Sequence, residues 1–151
     1  MDHLTPAGRS KVMSKIRSRN TRPELVVRKH LHSLGYRFRL HRKDLPGRPD
    51  IVLPRFKTAI WVHGCFWHSH SCQSGKLPKT NIDYWHPKLA GNVSRDILNR
   101  RKLNSLGWMS FVLWECEILS PSKFLRRMEI LQRRMISRAA AETDGKREFS
   151  K

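Results

Sequence analysis

At 151 residues and 38% hydrophobic content the chain is long enough for one folded domain with a core, and too apolar to stay disordered. Its 31 Lys and Arg against 12 acids leave a formal charge of +19, which points to a polyanion, with nucleic acid ahead of an anionic membrane surface and a merely soluble basic protein as the bland alternative. No run of about 18 apolar residues and no signal-peptide core is present, so no membrane span is expected and a cytoplasmic location is.

Residues 1–20 carry five Lys or Arg and one acid with little periodicity, as a basic arm would. "TRPELVVRKHLHSLG" then reads as a capped helix. Thr21 is the N-cap, Pro23 suits the first turn, and Glu24 stands three residues on, as in a capping box. Val27, Leu31 and Leu34 mark its apolar face and Gly35 its stop. "YRFRL" (36–40) alternates apolar and basic residues, the pattern of a half-exposed strand. "LPGRPD" is a turn, and "DIVL" and "TAIWV" are short apolar runs that suit buried strands. Residues 73–91 read as irregular. "NVSRDILNRRKLNSLG" predicts a helix ended by Gly107, "WMSFVLWE" a strand, and "PSKFLRRMEILQRRMISRAAAE" a C-terminal helix. Phe124, Met128, Leu131 and Met135 form the apolar stripe of that helix. The last ten residues read as a polar tail. This succession predicts an α/β domain with a mixed sheet flanked by helices. Its parts are a basic arm (1–20), a core (21–120) and the C-terminal helix with its tail (121–151). Strand order is not given by the sequence.

"WVHGCFWHSHSC" (61–72) concentrates the metal-ligand chemistry. Three cysteines, an odd number, argue against a disulfide framework and suit metal binding in a reducing compartment. Cys65, His70 and Cys72 are close enough in sequence to share one ion, and Cys116 would complete a Cys3His set that leaves no thiol free. Zinc favours such a closed tetrahedron. The alternative is small buried cysteines in a core. Cys116 lies 44 residues beyond Cys72, so the ion would staple a loop to a distant strand. His63 and His68 remain over, as ligands of a second metal or as a general base. His3, His30, His32, His41 and His86 read as ordinary core or surface groups.

Asp50, at the start of a buried-looking strand, suits a divalent cation held against a phosphate, since magnesium needs only one or two protein carboxylates. A turn-forming aspartate after Pro49 is the plain alternative. Together, "LPGRPDIVL", "VHGCFWHSHSC", "GNVSRD" and "LGWMSFVLWEC" resemble the very-short-patch-repair (Vsr) endonucleases, over roughly residues 5–120. These enzymes nick mismatched DNA and have a fold related to the type II restriction endonucleases.

The resemblance implies a role for each matching residue. Asp50 matches the metal-binding aspartate. Val62 occupies a position whose backbone carbonyl binds the same magnesium; threonine is frequent there, so the departure is in the side chain only. His63 matches a histidine near the metal-bound water and phosphate, His68 the general base, Asp96 the acid that orients it, and Glu24 an acid near the metals. Cys65, His70, Cys72 and Cys116 match the structural zinc ligands. Restriction nucleases of this fold usually carry a second acid and a lysine where this chain has "WVHG", an oddity shared by the resembled family. Glu24 also reads as a plain capping residue, and Asp96 as an acid favoured near a helix start.

Phe66, Trp67 and Trp85 match aromatics that wedge into DNA beside the mispair, and core packing is their alternative. Trp61, Trp108 and Trp114 are assigned to the core. Met13 matches a residue of the arm that inserts near the mispair. Arg9, Lys11, Lys15, Arg17 and Arg19 would contact phosphates, or form a solvated basic tail. The implied activity is magnesium-dependent nicking of the T-containing strand at T:G mismatches left by deamination of 5-methylcytosine. The implied enzyme is a bacterial monomer working at the nucleoid, with double-stranded DNA as partner and MutL-type repair proteins as candidate partners. Two rivals stand beside it: a related nuclease with another DNA target in restriction or defence, and a zinc-stabilised DNA-binding module without catalysis.

Overall fold

The computed structural model describes residues 19–148. In chain order the elements are helix α1 (Arg22–Ser33), strands β1 (Arg39–Leu40), β2 (Ile51–Leu53) and β3 (Thr58–His63), helix α2 (Ile82–Ser105), strand β4 (Met109–Trp114), and helices α3 (Glu115–Ile118) and α4 (Pro121–Glu148). The four strands form one sheet in the order β1-β2-β3-β4. β1–β2 and β2–β3 are antiparallel and β3–β4 is parallel, so the sheet is mixed, as the sequence predicts.

Parallel neighbours need a long crossover, and α2 supplies it between β3 and β4. Both strands therefore end at the same edge of the sheet, where His63 and Trp114 are register partners. The loop that follows β3 and the short helix α3 that follows β4 meet at that edge. The candidate site is built there.

Strand alternation divides the core in two. Ile51, Leu53, Ile60, Phe111 and Leu113 pack with Val27 and Leu31 of α1 and with Phe124, Met128, Leu131 and Met135 of α4. Val52, Ala59 and Trp61 turn to the other face and pack with Leu45 and with Leu103 of α2. With both faces covered, β2 and the first four residues of β3 are buried throughout, which is why they read as unbroken apolar runs.

Several elements differ from the sequence reading. α2 starts at Ile82, inside the stretch expected to be irregular. Its start is hard to read because Asn81, the N-cap, makes no side-chain cap bond, Pro87 lies within the helix, and only Leu89 and Leu103 of its 24 residues are buried. The expected polar tail is helical as far as Glu148. The strand expected over 36–40 is reduced to the exposed pair Arg39–Leu40. Leu34 caps α1 and is 45% exposed, so it does not join Val27 and Leu31. α3, which carries Cys116, was not expected at all. Gly35 and Gly107 end α1 and α2 in left-handed conformation, as expected.

Candidate active site

Cys65, His70, Cys72 and Cys116 converge, each offering a ligand atom, with all four atoms within 4.8 Å of one another. Three come from the loop after β3, and α3 brings Cys116 to them. The Cys116 Sγ lies 3.5 Å from His70 Nδ1, and the Cys116 backbone N–H donates to Cys65 Sγ at 3.4 Å. The loop is folded back by His70 N–H donating to the Cys65 carbonyl at 2.9 Å, and Gly75 N–H to the Cys72 carbonyl at 3.1 Å. Gly75 passes so close that a Cβ there would lie 1.9 Å from the His70 carbonyl oxygen. Burial pushes the Cys65 thiol up to about 12, whereas a hydrogen bond from His70 draws Cys72 down to about 7. Three sulfurs and one imidazole at this spacing fit a soft, tetrahedral metal ion.

Asp50 stands immediately before β2. The antiparallel register, continued one pair past Asp50, would set Pro49 against Val62, and Pro49 has no N–H to offer β3. The Asp50 carboxylate instead accepts the Val62 N–H at 2.7 Å. Its carboxyl is pushed up to about 7, first by burial. The Val62 hydrogen bond opposes that rise, the Glu24 charge adds to it, and His68 and Arg28 work against it. A largely enclosed carboxylate disfavoured in its charged form, with one oxygen tied to β3, fits a divalent cation.

Glu24 is 2% exposed and sits beside Asp50 rather than at the surface. Its N–H donates to Thr21 Oγ1 at 3.4 Å, but its carboxylate accepts from Asn20 N–H at 2.9 Å, so the reciprocal half of the capping box is not made. Arg28 donates to the same carboxylate oxygen at 3.0 Å. Glu24, His41 and Asp50 each offer a ligand atom within 4.8 Å of the others.

His68 and Asp96 are paired, with Nδ1 2.6 Å from Oδ2. Asp96 lies in the middle of α2, so the helix-start explanation for an acid there does not apply. The His63 ring stacks on His68 with centroids 3.8 Å apart and planes 4° apart. His63 is 4% exposed, and burial first, then the neighbouring His68, draws its pKa down to about 3. His63 is therefore neutral in this setting. Trp114 connects the two clusters: its ring stacks on His70 at 4.2 Å and meets His63 edge-on at 5.2 Å.

The family model for the DNA mismatch endonuclease Vsr matches residues 1–74. Three relatives extend the match. The type II nicking enzyme V.XorIIP of Xanthomonas oryzae is 54% identical over 117 residues, 78% of this chain and 86% of the relative. The type II nicking enzyme V.NmeAIP of Neisseria meningitidis is 44% identical over 132 residues, 87% of this chain and 94% of the relative. The DNA mismatch endonuclease Vsr of Escherichia coli is 39% identical over 117 residues, 78% of this chain and 75% of the relative. The chain belongs to the Vsr family of DNA endonucleases.

In this Vsr-family chain Phe66, Trp67 and Trp85 lie outside both core clusters. They form a partly exposed knot of their own, with centroids 5.1 Å apart for Phe66–Trp67, 5.2 Å for Phe66–Trp85 and 5.8 Å for Trp67–Trp85. Asn92 of α2 fixes the loop by donating to the Trp67 carbonyl at 3.0 Å. Exposed Tyr84 packs against Trp85, and Lys88 lies 6.0 Å over Trp67. Trp61 is in the core as expected and Trp108 packs against it. Trp114, also assigned to the core, belongs to neither cluster and lies between the candidate zinc ligands and His63. Arg19 is exposed. Arg9, Lys11, Met13, Lys15 and Arg17 lie outside the described residues.

Sequence reading missed two further members of the site, Arg28 and His41. Arg28, one turn after Glu24, could have been noticed as its helical partner. His41 follows an edge strand with no motif around it and was read as an ordinary histidine.

Proposed function

We propose that this chain is a magnesium-dependent endonuclease that nicks the T-containing strand at T:G mismatches left by deamination of 5-methylcytosine. The observation that carries the reading is the His68–Asp96 pair at 2.6 Å, with the His63 ring stacked on His68 at 3.8 Å. Asp96, as a carboxylate, accepts the Nδ1 proton of His68. That leaves the Nε2 lone pair of His68 to take a proton from an attacking water. His63, held neutral, orients the water or a phosphoryl oxygen without adding charge. Asp50 and the backbone of Val62 would hold magnesium, with Glu24 beside them. Bound there, the ion would polarise the phosphoryl group and stabilise the leaving oxygen. In-line attack leaves a 5′-phosphate and a 3′-hydroxyl.

Cys65, His70, Cys72 and Cys116 would hold a structural zinc. It would fix Phe66 and Trp67 at one end of the loop and His68 in its middle. Wedging these aromatics, together with Trp85 and Met13, between base steps consumes a few kcal/mol of stacking, less at a mispair. That difference is the physical basis for selecting a mismatch. Arg9, Lys11, Lys15, Arg17 and Arg19 would neutralise phosphates. If about six phosphates are neutralised in all, log affinity falls against log salt with a slope near −5. A single-strand cut at an asymmetric lesion suits a monomer, with MutL-type proteins as candidate stimulating partners. We also read the mixed sheet as the restriction-endonuclease-like core of this family.

A second reading keeps the chemistry and changes the target to DNA met in restriction or defence. Two of the relatives above are named as type II nicking enzymes, which favours testing it. Cleavage of T:G against C:G duplexes separates the two targets. Asp50→Ala tests the catalysis common to both: a nuclease loses cleavage and keeps DNA binding, whereas a zinc-stabilised binding module without catalysis is unaffected.

A further inference from the structure

Asp96 commits one face of α2 to the site, and Arg100 stands one turn further along that face. Arg100 is half-buried, whereas its neighbour Arg101, about 100° round the helix, is exposed. The Arg100 side chain folds back along α2, and its Nε–H donates to the Asp96 carbonyl at 3.4 Å. That brings the guanidinium level with Asp96, whose carboxylate holds His68. We propose that Arg100 is a catalytic residue whose Nη groups bind a non-bridging oxygen of the scissile phosphate. The proposal rests on the reading of Asp50, His68 and Asp96 as a nuclease centre.

Among the described residues no acid uses the Arg100 charge. The Asp96 carboxylate is taken by His68, and the other arginine ion pairs belong to Arg28, Arg42, Arg127 and Arg133. The Asp96 carbonyl already accepts the Arg100 backbone N–H as part of the helix. A side-chain bond of 3.4 Å to the same oxygen is weak. It directs the arginine without locking it. A guanidinium has five N–H donors, and the four on Nη1 and Nη2 meet no acceptor among the described residues. Half-burying a charge without a counter-ion costs solvation, and an anion bound there offsets that cost.

The reaction needs a cation at this place. A phosphodiester carries one negative charge, and a second arises as the attacking water gives its proton to His68 Nε2. The protein itself supplies three acids, Glu24, Asp50 and Asp96. Arg28 is spent on Glu24. His63 is held neutral, by burial first, and the Arg100 charge is felt there as a further force against its protonation. His68 must be neutral to accept the proton. Arg100 therefore offers the fixed positive charge that these residues do not. Its planar fork matches two phosphoryl oxygens, or one oxygen held by two N–H groups. Asp50 precedes β2 and Arg100 lies on α2, so the phosphate would be held from two separate elements.

The experiment uses the full chain, zinc-loaded and supplied with magnesium, in single-turnover nicking of the T:G duplex. Arg100→Met should cut about a hundredfold more slowly with duplex affinity within about threefold of wild type, the effect of losing one donor aimed at developing charge. Arg100→Lys should lose about tenfold, because it keeps the charge and loses the fork. Arg101→Met removes an equal charge from the same helix and should cut like wild type. Sulfur in place of either non-bridging oxygen of the scissile phosphate reads the contact itself: for one of the two stereoisomers, the slowing seen in wild type should be lost in Arg100→Met. A rate for Arg100→Met within about threefold of wild type overturns the proposal. So does a slow Arg100→Met in which both stereoisomers still act as in wild type, which makes Arg100 structural. An equal loss in Arg101→Met also overturns it, leaving only general surface charge. If wild type nicks no duplex, the reading of the nuclease centre fails, and a titration with inorganic phosphate followed by ¹H–¹⁵N spectra decides the anion site alone. The Arg100 Nε–H and the His68 ring should shift together in wild type, and the His68 shift should need about tenfold more phosphate in Arg100→Met. No shift at the Arg100 Nε–H overturns the proposal.

Discussion

Replacing Asp50 by asparagine should make the magnesium-free protein more stable at pH 8 while abolishing cleavage. The Asp50 carboxyl rises from its ordinary 3.8 to about 7 on folding. Keeping it charged above that value opposes folding by about 4 kcal/mol if the whole rise is expressed. Its side chain is 18% exposed, and water reaching it reduces the penalty to about 2 kcal/mol. Asparagine is nearly isosteric and keeps an oxygen to accept the Val62 N–H, now at 2.7 Å. For a domain of this size a gain of about 2 kcal/mol raises the melting temperature by about 4–8 °C. The sign follows from the direction of the shift. The folded state holds the Asp50 proton more tightly than the unfolded state, so the penalty is full above about pH 7 and gone below about pH 3.8. The stability gap between Asp50→Asn and wild type should therefore close as pH falls from 8 to 4. The assay is thermal unfolding of zinc-replete protein in buffer without magnesium, repeated across that range. Magnesium should then stabilise the wild type only, since a ligand that binds the native state alone raises its stability by mass action. Equal or lower stability of Asp50→Asn at pH 8 without magnesium would refute the reasoning.

Four further outcomes follow from the same geometry. Gly75→Ala should loosen the metal loop, because its Cβ would collide with the His70 carbonyl at 1.9 Å. Competition with a chromophoric chelator should show faster zinc release. His63 must gain a proton in a buried place, with its pKa held down to about 3, so wild-type stability should fall as pH drops from about 6.5 towards 3. His63→Gln should flatten that decline in urea-midpoint measurements. Trp114→Leu removes the ring between His70 and His63, and should lower the single-turnover nicking rate about tenfold with DNA affinity kept. Trp67→Ala should cost about 1–3 kcal/mol of base stacking, visible in competition binding as reduced preference for mismatched over matched duplex.

How much of this was legible in the sequence depends on how local each signal is. α1 and the two buried strands of "DIVL" and "TAIWV" could be read because capping residues and apolar runs act over a few positions. The stripe Phe124, Met128, Leu131 and Met135 could be read because it repeats at helical spacing, and it packs where predicted. The first half of α2 could not. Its exposed Ile82 and Tyr84 and its internal Pro87 carry no helix signal, and it is held by tertiary contacts such as Trp85 in the aromatic knot. The Cys3His set was legible from residue chemistry, although α3, which delivers Cys116, was not. Spacing alone left the roles of His63 and His68 open; the family resemblance pointed to His68 with Asp96, and the geometry brings those two together. His41 and Arg28 escaped notice because their meaning lies in contacts across the chain, Arg28 to Glu24 on one helix and His41 to Asp50 across β1 and β2. Trp114 looked like an ordinary core tryptophan because strand alternation does not show that a strand end faces a metal cluster.

The central claim is tested most directly by nicking of end-labelled duplexes that differ only in T:G against C:G at one position. The flanking bases are varied in a small library, with magnesium and with EDTA. The account predicts a magnesium-dependent cut in the T-containing strand of the T:G duplex, with a 5′-phosphate product, and no cut in the C:G duplex. Equal cutting of both duplexes would contradict the mismatch target, and tight binding with no cutting of any duplex would contradict the catalytic roles assigned to Asp50, His68 and Asp96.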